Sequence, residues 1–422
     1  MRYSHAIKLL YITTFLFPFF GFIGLFIPYF SYTKDILCLL ICFLSLLNHK
    51  ANVDKRYISI FVYVILVLGS LLVGAYAETS LSIDLFRYRA EYAITMAVCF
   101  STIDIKKSDL FSIMDDLMKI TYYTGVIVAI VGLIEFVNPS LVHAFYGSKL
   151  TQHLSLLLAG GVSGRLVSTL SNPITLGLQM SISIIAGLYI ANKCDSSNKK
   201  MFVIYPSLFL FCFITLYTYS RTAYIAIAGI ALVYVFCIIV KSETSIGRKT
   251  IVMISTIAIL GIIYHIIQSV PSLSSRFNSV NTDSFHDNIR YERAVNALGE
   301  PHKFFNDLFG FGVGKITGSS GQYVFEFGFA SLLYESGFVG LGIFFVYVIK
   351  SFVIYWKNRN DAKSYGLIVS CICIITGFLL TMFTVDAYSQ APYNYYFWLS
   401  VALLLKYNML WKESVNEVEK CK

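Results

Sequence analysis

Long apolar runs without charged residues recur along the whole chain, separated by polar connections. A helix needs about 20 apolar residues to cross the hydrocarbon core of a bilayer. Runs of this kind predict twelve transmembrane helices, near residues 9–30, 34–48, 57–77, 86–104, 117–137, 172–192, 201–219, 222–240, 250–270, 326–349, 364–385 and 394–411. The pattern therefore predicts an all-α, polytopic membrane protein with a single integral membrane domain over residues 1–422.

The basic residues of the short connections indicate how these helices are oriented, because lysine and arginine are retained on the cytoplasmic side. Five basic connections fall on the same side as both predicted termini. They carry Lys50, Lys55 and Arg56; Lys106 and Lys107; Lys193, Lys199 and Lys200; Lys241, Arg248 and Lys249; and Lys357, Arg359 and Lys363. Both termini are therefore expected in the cytoplasm, with two larger loops, about 138–171 and 271–325, on the outer face.

Composition excludes an ordinary soluble protein. Of the 422 residues, 57% are hydrophobic and 14% are charged, against about 25% charged in soluble domains. The formal charge of +9 is explained by the cytoplasmic lysines, so the lipid bilayer is an expected partner and nucleic acid is not. All nine cysteines fall in predicted spans or on the predicted cytoplasmic side, which fits a bacterial cell inner membrane facing an oxidising periplasm.

Arginine and lysine are divided unevenly between the two faces. Lysine dominates the cytoplasmic connections, whereas arginine is the commoner cation in the predicted outer segments. The outer cations are Arg87, Arg89, Arg165, Arg221, Arg276, Arg290 and Arg293 with Lys34, Lys149, Lys303 and Lys315. Because a guanidinium binds phosphate oxygens bidentately, this excess predicts an outer site for a phosphorylated or otherwise anionic ligand.

A structural role is the alternative for each outer arginine, since long basic side chains at helix ends also reach lipid head groups or pair with acids. The candidate acidic partners are Asp84, Glu91, Asp283, Asp287 and Glu292. Arg221 is the exception, because it lies in a tight turn between two strongly apolar runs. A cation at that depth is costly without a partner, which favours a functional role.

Motifs for metal or nucleotide chemistry are absent from the sequence. There is no Walker A motif, no HExxH motif and no zinc-spaced cysteine and histidine cluster, so neither a metal site nor a cofactor is expected. Asp115 and Asp116 are adjacent carboxylates that we expect to cap the fifth predicted span. Gly310, Gly312 and Gly314 either let backbone amides approach an anion or form a flexible turn.

Three segments between residues 160 and 345 place arginine, small residues and glycine at the ends of predicted spans. The first is GRLVSTLSNPITLG at 164–177, and the second is YSRTA at 219–223. The third runs from Arg290 through DLFGFGVGK to YESGFVG at 334–340. In order, spacing and sidedness, these segments resemble the O-antigen polymerase and ligase superfamily of bacterial inner-membrane glycosyltransferases.

The resemblance implies a GT-C-like, metal-independent glycosyltransferase of lipopolysaccharide and polysaccharide biosynthesis, whose donor oligosaccharide is carried on undecaprenyl diphosphate. It implies that Arg165, Arg221 and Arg290 bind the diphosphate at the periplasmic face, with Arg293 able to substitute for Arg290. Arg221 would also be catalytic, because a guanidinium neutralises charge that develops on the leaving diphosphate. A membrane protein that regulates chain length is implied as a partner by the resemblance alone.

At one position this chain departs from the ligase pattern of the superfamily, and that position distinguishes ligases from polymerases. Ligases of the superfamily carry a histidine about eleven residues before the glycine matched by Gly337, where this chain has Glu326. A carboxylate accepts a proton from an acceptor hydroxyl when desolvation raises its pKa, so Glu326 is the candidate general base. The alternative is that Glu326 caps the tenth predicted span. The missing histidine favours an O-antigen polymerase over a ligase.

Two other functions stay open at this point. A ligase would attach finished polysaccharide to lipid A core instead of extending it. A transporter or flippase of lipid-linked sugars would bind its substrate near the membrane midplane, through broken helices arranged in an internal repeat. No such repeat is visible in the sequence.

Aromatic residues of the predicted outer segments have two interpretations. They either stack on sugar faces or, as is usual for interfacial tyrosines, anchor the helices at the membrane surface. These residues are Tyr323, Phe325, Tyr388, Tyr393 and Tyr395.

Overall fold

The structure, a computed structural model, describes most of the predicted spans. The described residues are 5–27, 29–47, 57–76, 87–141, 165–170, 172–241, 304–312, 327–388 and 390–420, with scattered positions between 245 and 268. Across these residues the chain forms helices and turns, with no strand. The prediction of an all-α protein is confirmed.

Thirteen helices organise the described part of the chain. They are α1 (His5–Leu16), α2 (Phe20–Phe26), α3 (Thr33–Leu47), α4 (Ile58–Tyr76), α5 (Tyr92–Thr102), α6 (Lys107–Val137), α7 (Pro173–Lys193), α8 (Tyr205–Tyr217), α9 (Arg221–Val240), α10 (Phe304–Phe309), α11 (Gly328–Asn358), α12 (Tyr365–Thr381) and α13 (Ala391–Lys420). Shorter helical turns flank them at Phe17–Phe19, Phe30–Tyr32, Arg87–Glu91, Ser168–Leu170, Ser197–Lys199 and Lys200–Ile204.

Six described stretches are long and apolar enough to cross a membrane, which agrees with a multi-pass membrane protein. These are His5–Gly24, Lys107–Val137, Pro173–Lys193, Ser197–Tyr217, Arg221–Val240 and Gly328–Asn358. Eleven of the twelve predicted spans coincide with helices, and the ninth lies largely outside the described residues. Twelve crossings, and the sidedness of the loops, stay predictions.

The core of the bundle is built around α7, α12 and α13. Helix α13 is buried almost without interruption from residue 392 to 407, and it packs against α5, α7 and α12. A helix that is apolar on every face is stable only when neighbours or lipid surround it completely. Helices α8 and α9 are far less buried and present large apolar side chains such as Phe209 and Phe236 outward. That exposure is as expected for a surface in contact with lipid.

Both interpretations of the outer tyrosines are wrong for the three that the structure describes. Tyr388, Tyr393 and Tyr395 are completely buried inside the bundle. Their rings pack against other aromatic side chains; for example, the Tyr395 ring lies 4.7 Å from that of Phe17. Tyr323 and Phe325 lie outside the described residues. The described tyrosines therefore contribute to packing and neither contact sugars nor anchor the surface.

The capping role expected for Asp115 and Asp116 is also wrong. Helix α6 begins at Lys107, because the chain re-enters a helix immediately after the short break at residues 103–106. The two carboxylates therefore lie within α6, beyond its first turn. Asp115 accepts hydrogen bonds of 2.5 Å from the Tyr189 hydroxyl and the Lys193 ammonium, and so joins α6 to α7.

Helix α11 is broken at Gly337, whose φ of 64° and ψ of −170° are not helical. The turn after α10 fills the break. The Phe311 amide donates to the Tyr334 carbonyl at 2.8 Å, and the Gly312 amide donates to the Glu335 carbonyl at 3.1 Å. Carbonyls exposed by a break inside a membrane need such partners, because no water is available to them.

Glycine is required on both sides of this contact. Gly310 and Gly337 both have positive φ, which side chains with a Cβ rarely adopt. A Cβ at Gly337 would overlap the Leu308 carbonyl, and one at Gly310 would overlap the Glu335 carbonyl. The glycines of the FGFG and YESG segments therefore let the α10 turn pack directly on the broken helix.

This packing predicts that Gly337→Ala destabilises the protein. The substitution combines a strained backbone, which costs on the order of 1–3 kcal/mol, with an overlap against Leu308. Gly342→Ala is the matched control on the same helix, since a Cβ there meets nothing within 4 Å. Thermal unfolding in detergent should show a clear loss for Gly337→Ala and little change for Gly342→Ala. Equal melting temperatures for the two variants would contradict the packing.

Candidate functional site

Arg165 is held against the turn between α8 and α9. Its Nε donates a hydrogen bond of 2.9 Å to the Thr218 carbonyl. Its neighbour in the chain, Leu166, donates its amide to the Tyr217 carbonyl at 3.1 Å. The first sequence segment therefore contacts the turn that leads directly into the second, although 53 positions separate Arg165 from Thr218.

Arg221 is the first residue of α9 and lies three positions after Thr218. The turn before it is sharp, with Tyr219 at a φ of 50°. Ser220 caps the helix, because its hydroxyl accepts from the Ala223 amide at 3.3 Å. The tight turn expected from the sequence is confirmed, and the Arg221 side chain is exposed at this end of the bundle. The structure thus brings Arg165 and Arg221 to the same turn.

The start of α7 supports the same region. Asn172 accepts a hydrogen bond from the Ile174 amide at 2.8 Å, with Pro173 as the first helical residue. Helix α7 therefore begins where the span predicted at 172–192 begins. A Cβ at Gly177 would overlap the side chain of Ala223. Helices α7 and α9 therefore approach closely just below Arg221.

Glu135 fixes the segment that follows Arg165, and the sequence analysis did not single it out. Its buried carboxylate accepts from the Val167 amide at 3.0 Å and from the Ser168 amide at 2.7 Å. Ser168 has a positive φ of 49°, and its hydroxyl donates to the Val128 carbonyl at 2.6 Å. The one available signal was a lone acid within the apolar end of α6. Glu135 is therefore a positioning residue for the segment that carries Arg165.

Arg89 forms a second charged group, and it is buried with only 1% of its surface exposed. Its Nε donates to Glu335 Oε2 at 2.6 Å, and its Nη1 donates to Asp386 Oδ1 at 3.0 Å. Its Nη2 donates to both carboxylates at 3.1 Å and to Ser331 Oγ at 2.6 Å. The Tyr388 ring covers the guanidinium at 4.5 Å. Every guanidinium nitrogen is thus hydrogen-bonded inside the protein.

The partners of Arg89 differ from those expected. Sequence reasoning offered nearby or loop acids such as Glu91, whereas the structure pairs Arg89 with Glu335 and Asp386 from distant elements. A buried charge is tolerated when an opposite charge and hydrogen bonds compensate its desolvation. Arg89 therefore belongs to an internal ion-pair network and is not available to an external anion.

The Arg89 network lies beside the break in α11. The Glu335 side chain binds Arg89, while the Glu335 carbonyl accepts from Gly312 of the α10 turn. The Asp386 turn continues to Gln390, which accepts a hydrogen bond of 2.6 Å from Thr175 on α7. A continuous set of polar contacts therefore joins the network to the helix opening that supports Arg165 and Arg221.

The glycine-rich segment does not form an anion-binding loop within its described part. The amides of residues 310, 311 and 312 all donate to carbonyls of the protein itself. Gly314 lies outside the described residues. The described part of this segment is not a flexible turn either, because its hydrogen bonds to α11 hold it in one position.

Three predicted site residues lie outside the described part of the chain, namely Glu326, Arg290 and Arg293. Helix α11 begins at Gly328, two positions after Glu326, and its N-cap residue is Phe327. The Gly328 amide donates to the Met382 carbonyl at 2.9 Å, which ties the start of α11 to the end of α12. Of the predicted site residues, the structure brings together Arg165 and Arg221.

In chemical terms, the described site offers two permanently charged guanidinium groups beside a helix N-terminus. Backbone N–H groups and the helix dipole at such an end favour anions. Within the described residues there is no group of three or more histidine, cysteine, aspartate or glutamate side chains placed to hold a metal ion. The arrangement is suited to holding an anionic phosphate by charge and hydrogen bonding.

Comparisons with known proteins leave the family open. No family model matches the chain, and no curated protein matches it. The likeness to the O-antigen polymerase and ligase superfamily therefore depends on the three segments described above.

The Arg89 network predicts that removing the arginine alone destabilises the protein far more than removing all three charges together. Arg89→Leu leaves two carboxylates buried without their cation and should cost about 3–5 kcal/mol of stability. The triple variant Arg89→Leu/Glu335→Gln/Asp386→Asn removes all three charges and should recover much of that loss. Lys119→Leu is the control, since it breaks an exposed 3.9 Å pair with Asp116 and such pairs contribute about 0–1 kcal/mol.

Thermal unfolding of the purified variants in detergent measures this asymmetry. We expect Arg89→Leu to melt well below wild type, Lys119→Leu to melt close to it, and the triple variant to melt between them. A melting temperature of Arg89→Leu equal to that of Lys119→Leu would show that the network does not stabilise the fold.

Proposed function

We propose that the protein is a membrane glycosyltransferase that polymerises a repeat-unit polysaccharide such as O-antigen. In this reaction, a hydroxyl oxygen of an incoming lipid-linked repeat unit bonds to the anomeric carbon of the growing glycan. The bond from that carbon to undecaprenyl diphosphate breaks, and its electron pair leaves with the diphosphate. The glycan thereby grows by one repeat unit at the outer face of the bacterial inner membrane.

The observation that carries this proposal is the contact between Arg165 and the turn that ends at Arg221. Two arginines from segments of similar pattern to the superfamily are placed at one end of the bundle, beside the N-terminus of α9. A diphosphate leaving group gains negative charge as the glycosidic bond breaks. Arg165 and Arg221 would stabilise that charge by electrostatics, which is commonly the largest contribution to catalysis of this kind.

The proton of the acceptor hydroxyl needs a base, and Glu326 is the proposed one. In the sequence, Glu326 lies two positions before the first residue of α11. Arg290 and Arg293 complete the proposed diphosphate site by resemblance. Their positions, like that of Glu326, lie outside the described residues.

A transporter of lipid-linked sugars is the second candidate, and the break in α11 favours it. Transporters commonly bind substrates at discontinuous helices near the membrane midplane. In this chain, however, the carbonyls at the break accept from Phe311 and Gly312, and Glu335 is paired with Arg89. The break is therefore filled by the protein, which makes polymerisation the better supported proposal.

The proposal predicts that Arg221→Ala and Arg165→Ala abolish the polysaccharide ladder on a lipopolysaccharide gel. The strain is deleted for the gene and complemented with wild type or a variant expressed at the same level. Loss of one preorganised charge-stabilising group costs about 10²–10³-fold in rate, so polymer should be reduced to a single repeat unit. Arg359→Ala is the control, because Arg359 is half-buried at the C-terminal end of α11, where its guanidinium lies over the Trp356 ring.

Each other outcome identifies a different function. Bare lipid A core with accumulated lipid-linked polymer would indicate a ligase. Lipid-linked single repeat units retained on the cytoplasmic side would indicate a transporter. A full ladder with Arg221→Ala would overturn the role of this arginine.

A further inference from the structure

The end of the bundle opposite Arg221 contains a separate basic cavity. It has a volume of about 270 Å³ and lies between the ends of α7 and α9 and the start of α12. Three lysines line it, Lys193, Lys241 and Lys363, each contributed by a different element. We expect this end to face the cytoplasm, because it carries the lysine-rich connections.

The orientation of the helices in the membrane does not by itself explain why three lysines line the same cavity. The retention of basic residues on the cytoplasmic side places lysines in connections, and it does not direct three of them to the same space. The lining also contains the rings of Tyr189, Tyr234 and Tyr365 and the apolar side chains of Ile238 and Val369. The cavity thus combines cationic groups with an apolar wall.

The charges around the cavity are predominantly positive. Among its lining residues, all of them described, there is no carboxylate. Lys193 is paired with Asp115 of α6 at 2.5 Å, and its ammonium lies 5.0 Å from the Tyr189 ring. The Lys241 ammonium lies 4.5 Å from the Tyr365 ring. The aromatic faces therefore hold two ammonium groups at the edge of the cavity.

Asp361 precedes the lining residue Ala362 in the chain, and its carboxylate has partners of its own. Burial raises the pKa of its carboxyl, but hydrogen bonds from Ser364, the Lys363 amide and the Tyr407 hydroxyl, together with Lys107, outweigh burial and hold that pKa below its usual range. Asp361 thus interacts with Lys107 as well as with the Lys363 backbone. Asp115 therefore interacts with Lys193, and Asp361 interacts with Lys107.

We propose that this cavity binds the phosphate group of an anionic membrane lipid. Basic cavities between transmembrane helices on the cytoplasmic side are suited to phospholipid head groups. The cavity accommodates a head group and not acyl chains, which would remain in the bilayer beside the exposed apolar face of α9. This site is independent of the proposed glycosyltransferase function, since it lies at the opposite end of the helices.

The test measures binding to the full-length protein in a neutral detergent, using thermal unfolding while one probe is titrated. The probes are phosphatidylglycerol, phosphatidylcholine and inorganic phosphate. The site variant is Lys241→Gln/Lys363→Gln, which leaves the Lys193 pair with Asp115 intact. The matched control is Lys199→Gln/Lys200→Gln, because these lysines lie in the connection at the same end and do not line the cavity.

We expect phosphatidylglycerol to raise the melting temperature more than phosphatidylcholine does. The site variant should bind phosphatidylglycerol about 25-fold more weakly, since each of the two basic side chains near an anionic surface contributes about fivefold. The control variant should bind like wild type. Equal effects of the two lipids, or equal losses in both variants, would overturn the proposal. Stabilisation by inorganic phosphate alone, lost in the site variant, would assign the cavity to a soluble phosphate and overturn the lipid assignment.

Discussion

The ion-pair network of Arg89 with Glu335 and Asp386 is the constraint on which the packing around the break in α11 depends. A guanidinium with 1% exposure has almost no access to water, so the two carboxylates and Ser331 supply its hydrogen bonds and the Tyr388 ring covers one face. These partners belong to α11 and to the turn between α12 and α13. The network therefore fixes the broken helix and, through the α10 turn and the Thr175 contact with Gln390, the packing of neighbouring elements.

The positions of most helices could be predicted from the sequence, because a charge-free apolar run is a local signal. The span predicted at 172–192 also located the start of α7, and two adjoining apolar runs indicated the tight turn at Arg221. The Arg89 network could not be predicted, since 246 and 297 positions separate Arg89 from its two acids. Asp115 was misassigned for a related reason. Its role depends on the long extension of α6 beyond the apolar run and on contacts with α7.

Arginines and lysines are grouped at opposite ends of the bundle. At one end, Arg165 and Arg221 share a turn that Glu135, Ser220 and the α7 opening hold in place. At the other end, lysines gather around a cavity lined by tyrosines. Planar guanidinium groups bind phosphate oxygens with fixed geometry, whereas ammonium groups act as compact charges on flexible stems. This difference is consistent with a reacting diphosphate at the arginine end and a structural lipid at the lysine end.

The most direct test of the proposed function is reconstitution of the purified protein with an undecaprenyl-diphosphate-linked repeat unit in proteoliposomes. Mass spectrometry would follow glycan length and the free undecaprenyl diphosphate together. The account predicts that longer lipid-linked glycans form and that one undecaprenyl diphosphate is released for each new linkage, without added metal. Movement of the intact repeat unit across the membrane, with no new linkage and no released carrier, would contradict it.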